Sequence, residues 1–146
     1  MELYTIGFTQ KSAEQFFEVL KRIEVDLLID IRLNNKSQLA GFTKGDDLKY
    51  FLREICHCQY IHAVEFAPTD ELLTRYRNKL LPWDEYEVEY KQIIRQIDAY
   101  ALFVNMTKDY SKVCLLCSEP KPTQCHRRLL SDFLADSNPE IKVKHL

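Results

Sequence analysis

At 146 residues, the chain is long enough to fold as one domain, residues 1–146, with a core that needs neither a disulfide nor a metal ion. Its hydrophobic fraction of 46% and charged fraction of 29% exclude a disordered chain. The formal net charge of −2 excludes a global field that would attract nucleic acid or anionic lipid, so any anion has to be bound by a local cluster of cations.

The amino-terminal half predicts three strands and two helices. The apolar runs 3–6 and 26–30 are typical of buried strands. Between them, Ser12 and Gln15 fit a capping box, and apolar residues recur at helical spacing over 16–23. A second helix is predicted to begin near Asp46 or Asp47, and a third strand follows over 59–62.

The carboxy-terminal half predicts two or three helices before its main strand. Helical periodicity covers 69–80 and 83–106, with a separation at Pro82 and a bend or break near Asp98. Residues 113–117 form the clearest strand of the chain. The last helix is predicted over 123–136 with Thr123 as its N-cap, and a terminal strand over 141–145.

This alternation of strands and helices predicts an α/β fold. We expect a single three-layer domain with a mostly parallel sheet of about five strands and helices on both faces. The connection from residue 31 to residue 45 is long for a strand-to-helix loop, which is typical of functional or mobile segments.

The junction between the 113–117 strand and the last helix is the strongest candidate for a site. Ligands of open α/β sheets bind beyond the carboxyl ends of the strands, and a helix N-terminus there attracts anions. On the predicted helix, His126 lies on the apolar face and Arg127 at its edge, where it can reach into a cleft. Arg128 falls on the opposite, solvated side.

Each candidate group also has a structural interpretation. Cys117 could be a functional thiol or a buried structural one, since free cysteine is among the most buried residue types. Cys125 could have a lowered pKa at a helix N-terminus, and His126 could simply be hydrogen-bonded at the start of the helix. Asp30 and Arg32 could contact a ligand or form a structural pair that holds two loops.

A zinc site composed of Cys114, Cys117, Cys125 and His126 is not predicted. Cys114 and Cys117 are three apart on one strand, so their side chains point to opposite faces of the sheet. The isolated Gly7 supplies neither a dinucleotide fingerprint nor a phosphate loop. We therefore expect no metal and no cofactor.

Three aromatic residues recur at helical spacing in the helix predicted after Pro82. Trp83, Tyr86 and Tyr90 are more typical of a packed core than of a stacking platform for bases, although Tyr86 could cover a cleft.

Four short motifs together resemble the DUF488 family, a domain of unknown function. They are TIGFT at 5–9, DIR at 30–32, LCSE at 116–119 and CHR at 125–127. The sequence departs from the family pattern at Phe8, where histidine is common, and over 33–36, where a proline is usual. The resemblance implies a shared α/β fold and a shared set of polar positions, namely Thr5, Gly7, Thr9, Asp30, Arg32, Ser37, Cys117, Glu119, Cys125, His126 and Arg127.

The leading hypothesis is an enzyme acting on a phosphorylated or nucleotide-like substrate. Arg32, Arg127 and the last helix N-terminus would hold the anion. Glu119 or His126 would act as acid or base, and Cys117 or Cys125 as a nucleophile. The candidate catalytic residues are Cys117, Glu119, Cys125 and His126. The candidate substrate contacts are Thr5, Gly7, Thr9, Asp30, Arg32, Ser37 and Arg127.

Two alternatives stay open. The chain could be a non-catalytic module that binds a nucleotide or nucleic acid through the basic long loop and the same helix terminus. It could instead be a thiol-based redox protein, which requires Cys117 and Cys125 to lie close enough to pair. The oligomeric state is not predicted.

The sequence also favours a cytoplasmic location. No apolar run reaches the roughly 18 residues that a membrane span needs, and residues 1–4 do not resemble the start of a signal peptide. The five cysteines lack the spacing of a secreted disulfide framework, which indicates reduced thiols.

Overall fold

A computed structural model describes residues 1–36, 40–119 and 121–146. Five parallel strands in these ranges form one sheet in the spatial order β3-β2-β4-β1-β5. The strands are β1 (Glu2–Gly7), β2 (Leu27–Asp30), β3 (Gln59–His62), β4 (Lys112–Cys117) and β5 (Lys142–His145).

The centre of the sheet is a strand from the end of the sequence. β4 lies between β1 and β2, and its register places Cys117 beside Gly7 and Leu116 beside Asp30. The carboxyl ends of these three strands therefore meet at one point of one sheet edge. The connection from β1 to β2 covers one face of the sheet, and the connection from β4 to β5 covers the other. The ends of β1 and β4 therefore form a topological switch point, where α/β sheets have a crevice.

Helices cover both faces of the sheet. One buried cluster packs α1 and α2 against Ile6 and Leu28, and a second packs the later helices against Leu3 and Ile29. The residue alternation of the strands places these pairs on opposite faces, which gives the predicted three layers. The helices of the described residues are α1 (Ala13–Ile23), α2 (Gly45–Phe51), α3 (Asp70–Arg77), α4 (Trp83–Gln96), α5 (Ala99–Thr107) and α6 (His126–Ser137).

Shorter helical turns complete these layers. A π-helical turn, Leu52–Cys56, extends α2, and 3₁₀ turns cover Gly41–Thr43 and Val64–Phe66. None of the helices in the described ranges combines the length and the apolar character needed to cross a bilayer.

Most predicted elements are confirmed, but the start of the last helix is wrong. The break near Asp98 separates α4 from α5, with Asp98 as the α5 N-cap. α6 begins at His126 and not at Thr123, because Cys125 has extended backbone angles (φ −141°, ψ 139°) that cannot continue a helix backwards. Thr123 and Gln124 instead form a turn. The difference places Cys125 at the N-cap, immediately beside the end of β4.

Removal of the α1 capping box should destabilise the fold measurably. Ser12 Oγ accepts a hydrogen bond from the Gln15 N–H, and the Gln15 side chain accepts one from the Ser12 N–H. We expect Ser12→Ala to lower the free energy of unfolding by about 1 kcal/mol in urea titrations. Ser137→Ala is the control, because Ser137 Oγ donates only to the Phe133 carbonyl of the same helix, α6. This substitution should change stability by less than about 0.5 kcal/mol.

Candidate active site

A pocket opens beyond the carboxyl ends of β2 and β4. It has a volume of about 220 Å³ and is bounded by the loop after β2, the loop after β4, and parts of α3, α4 and α6. Cys117 ends β4, Cys125 is the N-cap of α6, and His126 is its first residue. All three line the pocket, so the junction of β4 and α6 brings two thiols and an imidazole to a single place.

Two cysteine thiols lie in direct contact in this pocket. The Sγ atoms of Cys117 and Cys125 are 2.7 Å apart, and both residues are free thiols. Only 4% of Cys117 and 3% of Cys125 is exposed. A disulfide bond is about 2.0 Å long, so a displacement of under 1 Å would join the two sulfurs.

His126 links the thiol pair to the loop after β2. Its Nε2 lies 2.8 Å from the Ile31 carbonyl oxygen, which can only accept, so Nε2 carries a proton. Its Nδ1 lies 3.6 Å from Cys117 Sγ. In the neutral ring Nδ1 accepts the thiol hydrogen, and after proton transfer the imidazolium donates to the thiolate. The Ile31 contact therefore orients the ring for deprotonation of Cys117.

The surroundings of Cys117 favour its thiolate. Burial opposes ionisation, but hydrogen bonds from the Cys125 thiol, His126 and the Glu119 backbone N–H, with the charge of His126, hold the pKa of Cys117 well below its usual range. The hydrogen bond to Cys117, followed by burial, raises the pKa of Cys125. Burial disfavours a charged His126, yet the adjacent Cys117 raises the pKa of the ring. Cys117 is thus the more acidic thiol of the pair, and Cys125 is its proton-bearing partner.

Arg127 and Gly7 fix the loop that carries Glu119. The Arg127 side chain is fully buried, and its Nη1 donates to the Glu119 carbonyl oxygen. A Cβ atom at Gly7 would overlap that carbonyl and lie 2.5 Å from Arg127 Nη1. Only glycine permits the loop, the arginine and the end of β1 to approach this closely.

These features coincide with a family match. A family model described as "Domain of unknown function DUF488" matches residues 12–134. The chain belongs to the DUF488 family. The matched range includes the thiol pair, His126 and Arg127, whereas the 5–9 motif precedes it. No curated protein and no solved structure matches this DUF488 chain.

Asp30 and Arg32 of the DUF488 chain form a buried ion pair. Arg32 Nε and Nη2 donate to the two Asp30 carboxylate oxygens at 2.8 and 2.7 Å. Nη2 also donates to the Thr43 carbonyl at 2.6 Å, which ties the loop after β2 to the turn before α2. Tyr60 donates to Asp30 at 2.7 Å, and the Phe8 ring lies 5.2 Å from the Arg32 guanidinium. These contacts are those expected if Asp30 and Arg32 form a structural pair that holds two loops, although Arg32 also lines the pocket.

The remaining predicted site residues, the substrate contacts Thr5, Thr9 and Ser37 and the catalytic candidate Glu119, are dispersed. Thr5 is buried, with its hydroxyl 2.6 Å from His145 Nδ1 at the β5 edge of the sheet. Thr9 donates to the Ser118 carbonyl at 2.5 Å and so joins the loops after β1 and β4. Glu119 is exposed and lines the pocket. Ser37 lies outside the described residues.

Sequence reasoning missed the wall of the pocket formed by α3 and the start of α4. Tyr76, Arg77 and Trp83 line it, together with Tyr86, which was predicted to be able to cover a cleft. The Trp83 and Tyr86 rings stack with centroids 5.0 Å apart, and the Tyr76 ring lies 4.8 Å from that of Tyr86. The only sequence signal for this wall is the helical spacing of the aromatic residues, and a packed hydrophobic core accounts for that spacing equally well.

Three of the four residues considered for zinc do come together. Cys117, Cys125 and His126 place their ligand atoms within 4.8 Å of one another. Cys114 belongs to the opposite face, as predicted from the strand alternation. His126 has the arrangement of a metal ligand, since its other ring nitrogen donates to a carbonyl. The absence of a metal in the DUF488 chain stays a prediction, so thiol assays need an arm with a chelator.

Proposed function

We propose that this DUF488 protein is a thiol-disulfide oxidoreductase in which Cys117 is the attacking thiolate and Cys125 the resolving cysteine. The observation that carries the proposal is the pair of free sulfurs 2.7 Å apart at the pocket. A neighbouring histidine and a second thiol are the surroundings that lower the pKa of reactive cysteines. The thiol-based redox alternative is therefore the one that this geometry supports best.

The reaction proceeds through two thiolate exchanges. Cys117 gives its proton to His126, and its thiolate attacks one sulfur of a small disulfide, which forms a mixed disulfide and releases the other half as a thiolate. Cys125 then loses its proton and attacks Cys117 Sγ, and the second half leaves as a thiolate. The two released thiolates take up the two protons. The substrate disulfide is reduced to two thiols, the protein dithiol is oxidised to a disulfide, and an external dithiol regenerates it.

His126 is the general base of this scheme. Its Nδ1 faces Cys117 Sγ, and the Ile31 carbonyl holds the ring in the tautomer that can accept a proton. The predicted role of Glu119 as an alternative acid or base lacks such a contact with the sulfur pair: its backbone N–H and carbonyl are what support the site. A phosphorylated or nucleotide-like substrate is compatible with this chemistry, because the anion and the reacting sulfur would occupy different parts of the cleft.

Removal of the resolving cysteine should trap the first step. With hydroxyethyl disulfide, wild-type protein should lose two hydrogens by mass as Cys117 and Cys125 join, whereas Cys125→Ser should accumulate a mixed disulfide on Cys117. Cys117→Ser should form neither product at this pocket. Peptide mass mapping assigns the modified sulfur in each case.

Cys56→Ser is the matched control, because Cys56 belongs to the opposite face and burial raises its pKa to about 11. It should behave as wild type. The reactions are run with and without a chelator, and equal rates in both arms are expected. The proposal would be contradicted if Cys125→Ser accumulated no mixed disulfide on Cys117, either with or without the chelator.

A further inference from the structure

A second cavity, here called the basic groove, adjoins the thiol pocket. It has a volume of about 770 Å³ and lies between the loop after β1, the loop after β2 and the end of α3. Arg32, Asn34, Arg77 and Ser118 line both cavities, so the two lie side by side. A ligand in the groove is therefore bound next to the pocket that holds the sulfurs.

Positive charge dominates the lining of the basic groove. Lys11, Arg32 and Arg77 contribute three cations, and no carboxylate appears among the described residues that line it. Arg32 is already neutralised by Asp30. Within the described ranges, neither Lys11 nor Arg77 forms an ion pair with another side chain. Their two charges are thus available to a ligand.

The field of Arg127 also reaches the groove. Partial burial, followed by the charge of Arg127, lowers the pKa of Lys11. The lysine therefore sits where a second cation raises the electrostatic potential, and an anion beside it would relieve the repulsion. The positive charge of Arg127 lies inside the fold, next to Gly7. Its contribution to the groove therefore does not depend on the position of an exposed side chain.

We propose that the basic groove binds the phosphate group of the substrate, with Lys11 and Arg77 as its ligands. The inference rests on the proposed function, because it makes the substrate a small thiol or disulfide that carries a phosphate ester. Two cations from different elements suit a dianion, and the planar guanidinium of Arg77 can bind two phosphate oxygens at once. The anion site is thus distinct from the Arg32 and Arg127 site that the sequence predicts.

Inorganic phosphate is the probe for this subsite. Amide NMR titrations of the full chain, with chloride at matched ionic strength, should show saturable shifts in the loop after β1 and at the end of α3. Arg77→Gln and Lys11→Gln should each weaken phosphate binding about tenfold or more, as expected for a charge-assisted contact. Lys108→Gln is the matched control, since Lys108 is an exposed lysine at the end of α5, and it should leave the affinity unchanged.

Two further arms separate the subsite from the proposed chemistry. Cys117→Ser should bind phosphate like the wild type, because the subsite does not use the sulfur. A wild-type protein that binds phosphate but fails the thiol assay would count against the proposed function alone. Acetate should compete weakly. The subsite is overturned if phosphate produces no saturable shift, if Arg77→Gln and Lys11→Gln bind it as tightly as the wild type, or if acetate binds equally well.

Discussion

Iodoacetamide should alkylate Cys117 at nearly the same rate at about pH 6 as at about pH 8, whereas the rate for an ordinary thiol rises close to a hundredfold over that range. The reason is the direction of its pKa. A lowered pKa means that the thiolate is already present at the acidic end of the range and is lost only as the pH falls through that lowered value. The raised pKa of His126 extends the pH range in which the ring is protonated, and the ion pair exists between the pKa of Cys117 and that of His126.

The chain supplies its own reference thiols for this measurement. Burial raises the pKa of Cys56 to about 11 and that of Cys58 to about 12. Both thiols should therefore react slowly near neutral pH, and their rates should increase as the pH rises. Peptide mass mapping follows all the cysteines in one sample. His126→Asn removes the cation beside Cys117 and should reduce its rate at about pH 6 by tenfold or more, while rates at high pH converge. A Cys117 rate that rises with pH like that of a free thiol would show that it is not activated.

Replacement of Gly7 by alanine should cost about 3 kcal/mol or more of stability. The new methyl group would overlap the Glu119 carbonyl and crowd Arg127 Nη1, so the loop has to move and the buried guanidinium loses a hydrogen bond. Urea unfolding followed by circular dichroism gives the change in free energy.

Gly41→Ala is the control for this substitution. A Cβ atom at Gly41 would meet nothing within 4 Å, so alanine there should change stability by less than about 1 kcal/mol. At temperatures where Gly7→Ala remains folded, its Cys117 should also react more slowly at low pH, because the displaced loop carries the Glu119 N–H that stabilises the thiolate. Equal stabilities of the two alanine variants would show that the loop tolerates a side chain at Gly7.

The three inner strands, β1, β2 and β4, could be predicted from local patterns because they are short apolar runs bounded by charges or glycine. The β4 run and the Ser12 capping box are examples, and both occur in the structure. The start of α6 could not be predicted in the same way. Thr123 is a better N-cap than Cys125 by residue type, but the turn at Thr123 and Gln124 delays the helix and leaves Cys125 extended beside Cys117.

The sequence is sufficient to predict that Cys117, Cys125 and His126 lie close together, but it does not predict the surroundings of Arg127. The three residues flank one strand-to-helix junction, so a local argument brings them to one edge. The burial of Arg127 depends instead on Gly7, which is remote in sequence and comes alongside through the pairing of β1 with β4. The basic groove likewise combines Lys11 and Arg77, and only the tertiary fold shows that they share a cavity.

The position of β4 gives the thiol pair a property beyond its chemistry. Cys117 and Cys125 are close in sequence and can meet in an unfolded chain, but His126 reaches the Ile31 carbonyl only when β4 has inserted between β1 and β2. Without that insertion the sulfur keeps the pKa of an ordinary cysteine. In nascent or damaged molecules Cys117 therefore lacks the lowered pKa, and a thiolate that persists at low pH marks molecules whose sheet is complete.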